Sequence, residues 1–116
     1  MAFRFEDLQV WQRALDLGER ISQLTKTFPK EEVYILTSQI KRAADSVVLN
    51  IAEGSTGQSK AVFKVFLSYS LRSAIEVVSC LFIARKRNII DEEQFHNLYQ
   101  EYEALVKMIT ALKNSF

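Results

Sequence analysis

A chain of 116 residues with 48% hydrophobic and 25% charged residues has the make-up of one folded domain, residues 1–116, and argues against a disordered chain. The net charge of +1 neither demands a nucleic-acid partner nor excludes a local basic patch. The single cysteine, Cys80, excludes an intramolecular disulfide and fits a reducing cytoplasm.

Three glycines, one proline and no alternating β-branched segment point to an all-α protein. No unbroken apolar run reaches the roughly 18 residues of a membrane span, so no membrane partner is expected. The opening Met-Ala-Phe-Arg-Phe-Glu-Asp lacks the apolar core of a signal peptide. The expected compartment is therefore the cytoplasm.

The first helix is predicted to start near Asp7, with that carboxylate as its cap. Its apolar positions are Trp11, Ala14, Leu15, Gly18, Ile21 and Leu24. Gly18 inside that stripe costs about 1 kcal/mol relative to Ala, and close approach of a neighbouring helix would compensate. The helix ends by Phe28, because a residue before proline is pushed away from helical geometry.

Pro29 suits the start of the second helix, and Glu31 and Glu32 complement its dipole. This helix is predicted to run to about Glu53, with Gly54 as a left-handed terminator. Leu36, Ile40, Ala43, Val47 and Ile51 share its core-facing stripe. Beside them Gln39, Arg42, Ser46, Asn50 and Glu53 fall within an arc of roughly 80°. Polar residues at the margin of an apolar stripe read as a hydrogen-bonded boundary network. Arg42, Asn50 and Glu53 should then be at least partly buried, with Ser73 or Glu76 as partners. An ordinary solvated flank is the competing reading.

Ser59 is a plausible cap for the third helix. Between Ala61 and Ala84 the only charges are Lys64, Arg72 and Glu76. One apolar stripe is Val62, Phe66, Tyr69, Val77, Cys80 and Ala84. A second is Phe63, Leu67, Leu71, Ala74, Val78 and Leu81, extended by Ile75 and Phe82. A surface helix of a bundle needs one stripe, so the excess predicts a subunit interface. A helix sunk deep in its own bundle would read the same way.

Arg85-Lys86-Arg87-Asn88 closes the third helix. Asp91 opens the fourth, and Gln94 completes a capping box. Phe95, Leu98, Tyr102, Leu105, Ile109, Leu112 and Phe116 follow at 3,4 spacing, the seam of a bundle helix. Four helices with short loops predict an antiparallel up-down-up-down four-helix bundle.

Catalytic constellations find little support. His96 is the only histidine, so Glu93-x-x-His96 is the only possible half of a di-metal motif. Cys80 falls on an apolar stripe, as a packing residue does. No glycine-rich phosphate loop with a lysine follows a strand. The expectation is a protein that is not an enzyme and takes no metal or cofactor. The basic side chains Lys41, Lys60, Lys64, Arg72, Arg85, Lys86 and Arg87 are the remaining candidates, for nucleic acid. Arg85-Lys86-Arg87 also has a plain role in complementing a helix C-terminus.

Several runs carry a family resemblance. Gln39-Ile40-Lys41-Arg42-Ala43-Ala44, then Ser46 and Asn50-Ile51-Ala52-Glu53-Gly54, resembles the signature of the bacterial four helix bundle protein family, also called the ribosomal RNA intervening-sequence protein family. Phe5-Glu6-Asp7-Leu8 with Val10-Trp11 is similar to its N-terminal motif. Phe28-Pro29, Glu32, Tyr34 and Leu36 resemble the opening of its second helix, and Ser73 and Glu76 part of its third. Arg72 stands where that family usually has glycine. The resemblance implies a homo-oligomer, a homopentameric ring, associated with RNA or DNA. One branch is similar to the accessory protein of diversity-generating retroelements, which implies a reverse transcriptase as partner. A protein-binding scaffold without nucleic-acid affinity is the alternative.

Overall fold

The computed structural model describes residues 2–116. Four α-helices carry the fold: α1 Gln9–Thr25, α2 Ser38–Gly54, α3 Lys60–Lys86 and α4 Glu92–Asn114. Each helix packs on the next and α4 packs back on α1, giving an antiparallel bundle 43 × 22 × 22 Å. Phe116 at the end of the chain stacks on Phe63 near the start of α3, 5.2 Å between ring centres.

The helix ends follow their local chemistry. Ser59 Oγ accepts from the Val62 N–H at 3.1 Å. Asp91 and Gln94 form the reciprocal capping box, at 2.7 and 2.9 Å. α3 closes at Asn88, in left-handed geometry with φ 58°. There the Ile89 N–H bonds to Ala84 O and the Asn88 N–H to Arg85 O, satisfying two carbonyls of the last turn.

α1 starts later than Asp7. Arg4–Asp7 form a 3₁₀ turn whose Glu6 carboxylate accepts the Phe3 N–H at 2.9 Å, and α1 opens at Gln9 without a side-chain cap. Its buried stripe is Val10, Ala14, Leu17, Gly18 and Ile21, rotated from the predicted one, so Leu15 is 46% exposed. The second helix is broken. Lys30–Glu32 make a 3₁₀ turn and Val33–Thr37 a π turn before α2 begins. Downstream, Leu36, Ile40, Ala43, Val47 and Ile51 are all buried, as the spacing predicts.

Gly54 is not a left-handed terminator. Of the three glycines only Gly57 has positive φ, 87°. A Cβ on Gly54 would lie 2.6 Å from Phe66 Cβ and 2.9 Å from Phe63 Cδ1, so glycine is required by close approach of α3. Gly18 is the reverse case. A Cβ there would meet Val48 Cγ2 at 3.8 Å and Ala44 O at 3.9 Å, ordinary contacts, so no close approach compensates its cost.

α3 buries one broad face: Phe63, Leu67, Ser70, Ala74, Val77, Cys80, Leu81 and Ala84. Of the first predicted stripe, Val62 and Phe66 are only half-buried and Tyr69 is exposed. Val65, Tyr69, Ile75, Phe82 and Ile83 are exposed on the outer side, interspersed with Arg72, Glu76 and Ser79, with Ile75 61% exposed and Phe82 partly packed on Phe95 at 4.9 Å. By length and mean hydropathy α3 could cross a membrane even though no unbroken apolar run exists; here it packs against α2 and α4. Arg72 lies among the exposed residues, so glycine is not needed there for packing within the bundle. The α4 seam is buried from Phe95 to Ile109, with Leu112 and Phe116 half-buried at its end.

Gly54→Ala should destabilise the fold by about 1–3 kcal/mol through overpacking. Gly18→Ala should stabilise it by up to about 1 kcal/mol through helix propensity. Urea midpoints of the two variants should therefore move in opposite directions.

Candidate functional site

The polar stripe of α2 borders an open groove of about 580 Å³ between α2 and α3. At its centre Asn50 Nδ2 donates to Ser46 O and Oγ at 2.9 and 3.0 Å, and Ser73 Oγ donates to Ser46 Oγ at 2.9 Å. Gln39 Nε2 reaches Glu76 Oε2 at 3.4 Å. Arg42 and Glu53 are exposed and form no ion pair among the described residues, contrary to the expectation of burial. They lie further round α2, past the line on which it meets α3, and face solvent. The predicted network is thus a small hydrogen-bonded centre with a solvated charged rim.

A stronger polar link between the same helices is Ser70, fully buried, whose Oγ donates to Val47 O at 3.0 Å. A lone hydroxyl inside the apolar stripes of α3 does not stand out in the sequence as a polar stripe does. Ser70 falls between Phe63 and Val77 on the helical wheel, and that position was the available signal.

The basic candidates separate into two ends of the bundle. At the α3–α4 turn the Arg85 guanidinium lies 3.8 Å from the Phe95 ring centre and 3.5 Å from Glu92. Arg87 pairs with Glu32 at 3.2 Å, tying α3 to the 3₁₀ turn before α2. Of that run only Lys86 is exposed and unpaired among the described residues. At the opposite end Lys60 and Lys64 sit one turn apart at the start of α3. Arg4, which the sequence reading did not select, places its guanidinium 5.2 Å over the Phe63 ring and shares a cleft with Lys60. These three cations form no ion pair among the described residues. Lys41 and Arg72 are exposed elsewhere, on α2 and midway along α3.

Among the described residues no three His, Cys, Asp or Glu side chains converge. Glu93 and His96 are both exposed, and His96 Nε2 lies 3.3 Å from Gln100. The Cys80 side chain is buried, and desolvation, reinforced by the Glu76 carboxylate, pushes the thiol up from 9.0 to about 11. Burial likewise raises the Tyr102 hydroxyl, which has no hydrogen-bond partner. Both are groups held neutral by packing.

A family model described as 23S rRNA-intervening sequence protein matches residues 6–111. The chain belongs to that family. A solved structure from Bacteroides thetaiotaomicron, described as a protein of unknown function from the S23 ribosomal protein family, is 25% identical. It aligns over 90% of this chain and 95% of its own, with a TM-score of 0.84. No curated protein matches in sequence. The family membership agrees with the motifs around Gln39–Gly54, and the structural likeness with the four-helix architecture.

Because the Cys80 thiolate forms far more readily in the unfolded chain, the neutral thiol stabilises the fold fully below pH 9, and that contribution fades as pH rises towards about 11. The difference in urea midpoint between the wild type and Cys80→Ala should therefore shrink over that window. A difference constant with pH would show that the thiol titrates alike in both states.

Proposed function

We propose that this chain is a non-catalytic, self-associating helical module that holds nucleic acid by charge, as an accessory component of a larger nucleoprotein assembly. One observation carries the reading: five large apolar side chains of α3 stay exposed on the outer side of the bundle, between Arg72, Glu76 and Ser79. Val65, Tyr69, Ile75, Phe82 and Ile83 remain exposed on a single helix. A second copy of the chain would cover them, and a closed ring would repeat each cation around its axis.

Repetition matters because one chain carries a net charge of only +1. Arg4, Lys60 and Lys64 are the cations best placed for phosphate, being near one another and without an ion pair among the described residues. Arg85 and Arg87 are committed to Phe95, Glu92 and Glu32. The family's description, which names an intervening sequence of 23S rRNA, supports an RNA or the DNA encoding it as ligand. A reverse transcriptase is a further candidate partner on the same reading. No stacking platform or recognition-helix motif is evident, so readout of base sequence is not expected.

Affinity for a fixed length of RNA or DNA should fall steeply with salt and vary little with sequence. Lys60→Gln with Lys64→Gln should flatten the slope of log K against log salt by about 1.4–1.8, at 0.7–0.9 per phosphate contact. Replacing Arg85 and Arg87 by Gln should lower thermal stability and leave that slope nearly unchanged. An assembled wild type that retains no RNA or DNA at about 50 mM salt, where such binding is strongest, would favour a scaffold that binds protein alone.

A further inference from the structure

The π turn before α2 presents an apolar knuckle to solvent. Tyr34 is 93% exposed, Ile35 59% and Val33 43%. Three adjacent large apolar residues on a turn are uncommon on an isolated surface. Exposed Lys41 and Arg42 line the cavity beside Val33 and Tyr34. A second unpartnered apolar surface lies between α1 and α2. There Leu15, 46% exposed, and Leu49, 58% exposed, flank an open groove of about 580 Å³ over Gly18 and Val48. The groove's charged lining is wholly acidic: Asp16, Glu19 and Asp45.

The two surfaces match in chemistry. One is convex and apolar, with Lys41, Arg42 and a single carboxylate, Asp45, beside it; the other is concave, apolar and rimmed by carboxylates. Asp45 touches both cavities, so knuckle and groove lie along one side of α2. The rise of an α-helix separates Tyr34 from Leu49 by about 22 Å, so the knuckle cannot reach its own groove.

We infer that the Tyr34 knuckle of one copy seats in the Leu15–Leu49 groove of a second copy. Lys41 and Arg42 then face the Asp16 and Glu19 carboxylates across the contact. Opposite charges at the rim set register and favour encounter, while the apolar centre supplies the burial. This deepens the self-association proposed above by adding a contact that does not involve the outer face of α3.

Tyr34→Asp disables the knuckle and Leu49→Arg the groove. Both positions are exposed, so circular dichroism should show the wild-type helix content. By light scattering each variant alone should be lighter than the wild-type assembly by at least one 13.4 kDa chain. A mixture of the two should form a species heavier than either, because it unites an intact knuckle with an intact groove. Variants that keep the wild-type mass, or a mixture no heavier than its components, would overturn the contact. A wild type that is itself monomeric at micromolar concentration would overturn self-association as a whole.

Discussion

The structure depends on how closely α2 and α3 approach. Gly54 lets the Phe63 and Phe66 side chains reach the backbone at one end of this seam. Ser70 donates to Val47 O further along, and Ser73 to Ser46 Oγ beyond that. Small residues bring the two helices together, and two hydroxyls satisfy what would otherwise be buried polar groups. With that seam set, α3 has its rotation fixed. Ala74, Val77 and Leu81 turn inward, while Val65, Ile75 and Ile83 turn out.

Charge placement follows from the same rotation. α3 begins beside Arg4 and ends beside Glu32 and Glu92. The densest basic run in the chain is thereby largely spent on internal pairs. The thinner group at the opposite end forms no ion pair among the described residues. Which cations are free is thus a property of the fold and not of their density along the chain.

The helix count, the α2 core stripe, the α4 seam and both caps at Ser59 and Asp91 were legible, because each rests on local spacing. The π turn was not, since helix-compatible residues from Pro29 onwards give no signal of a widened turn. The α1 stripe was misplaced by one helical flank, because Leu15 and Leu17 are equally apolar and only the packing chooses between them. The two roles of glycine were exchanged for a related reason. Gly18 was read for a close approach it does not have, and Gly54 for a backbone twist it does not adopt. Cβ clearance is a tertiary quantity. At the candidate site, Ser46, Asn50 and Ser73 were found from their spacing. The freedom of Lys60 against the engagement of Arg85 needed the partners from other helices.

The account turns on whether the outer face of α3 is covered in solution. Methyl-labelled protein with a soluble paramagnetic agent reads this directly at Val65, Ile75 and Ile83. The account predicts that these methyls are shielded at micromolar concentration, despite exposures of 47%, 61% and 36% in the single chain, and become accessible on dilution. Accessibility equal to that of the exposed Thr27 and Ala111 methyls at every concentration would contradict it.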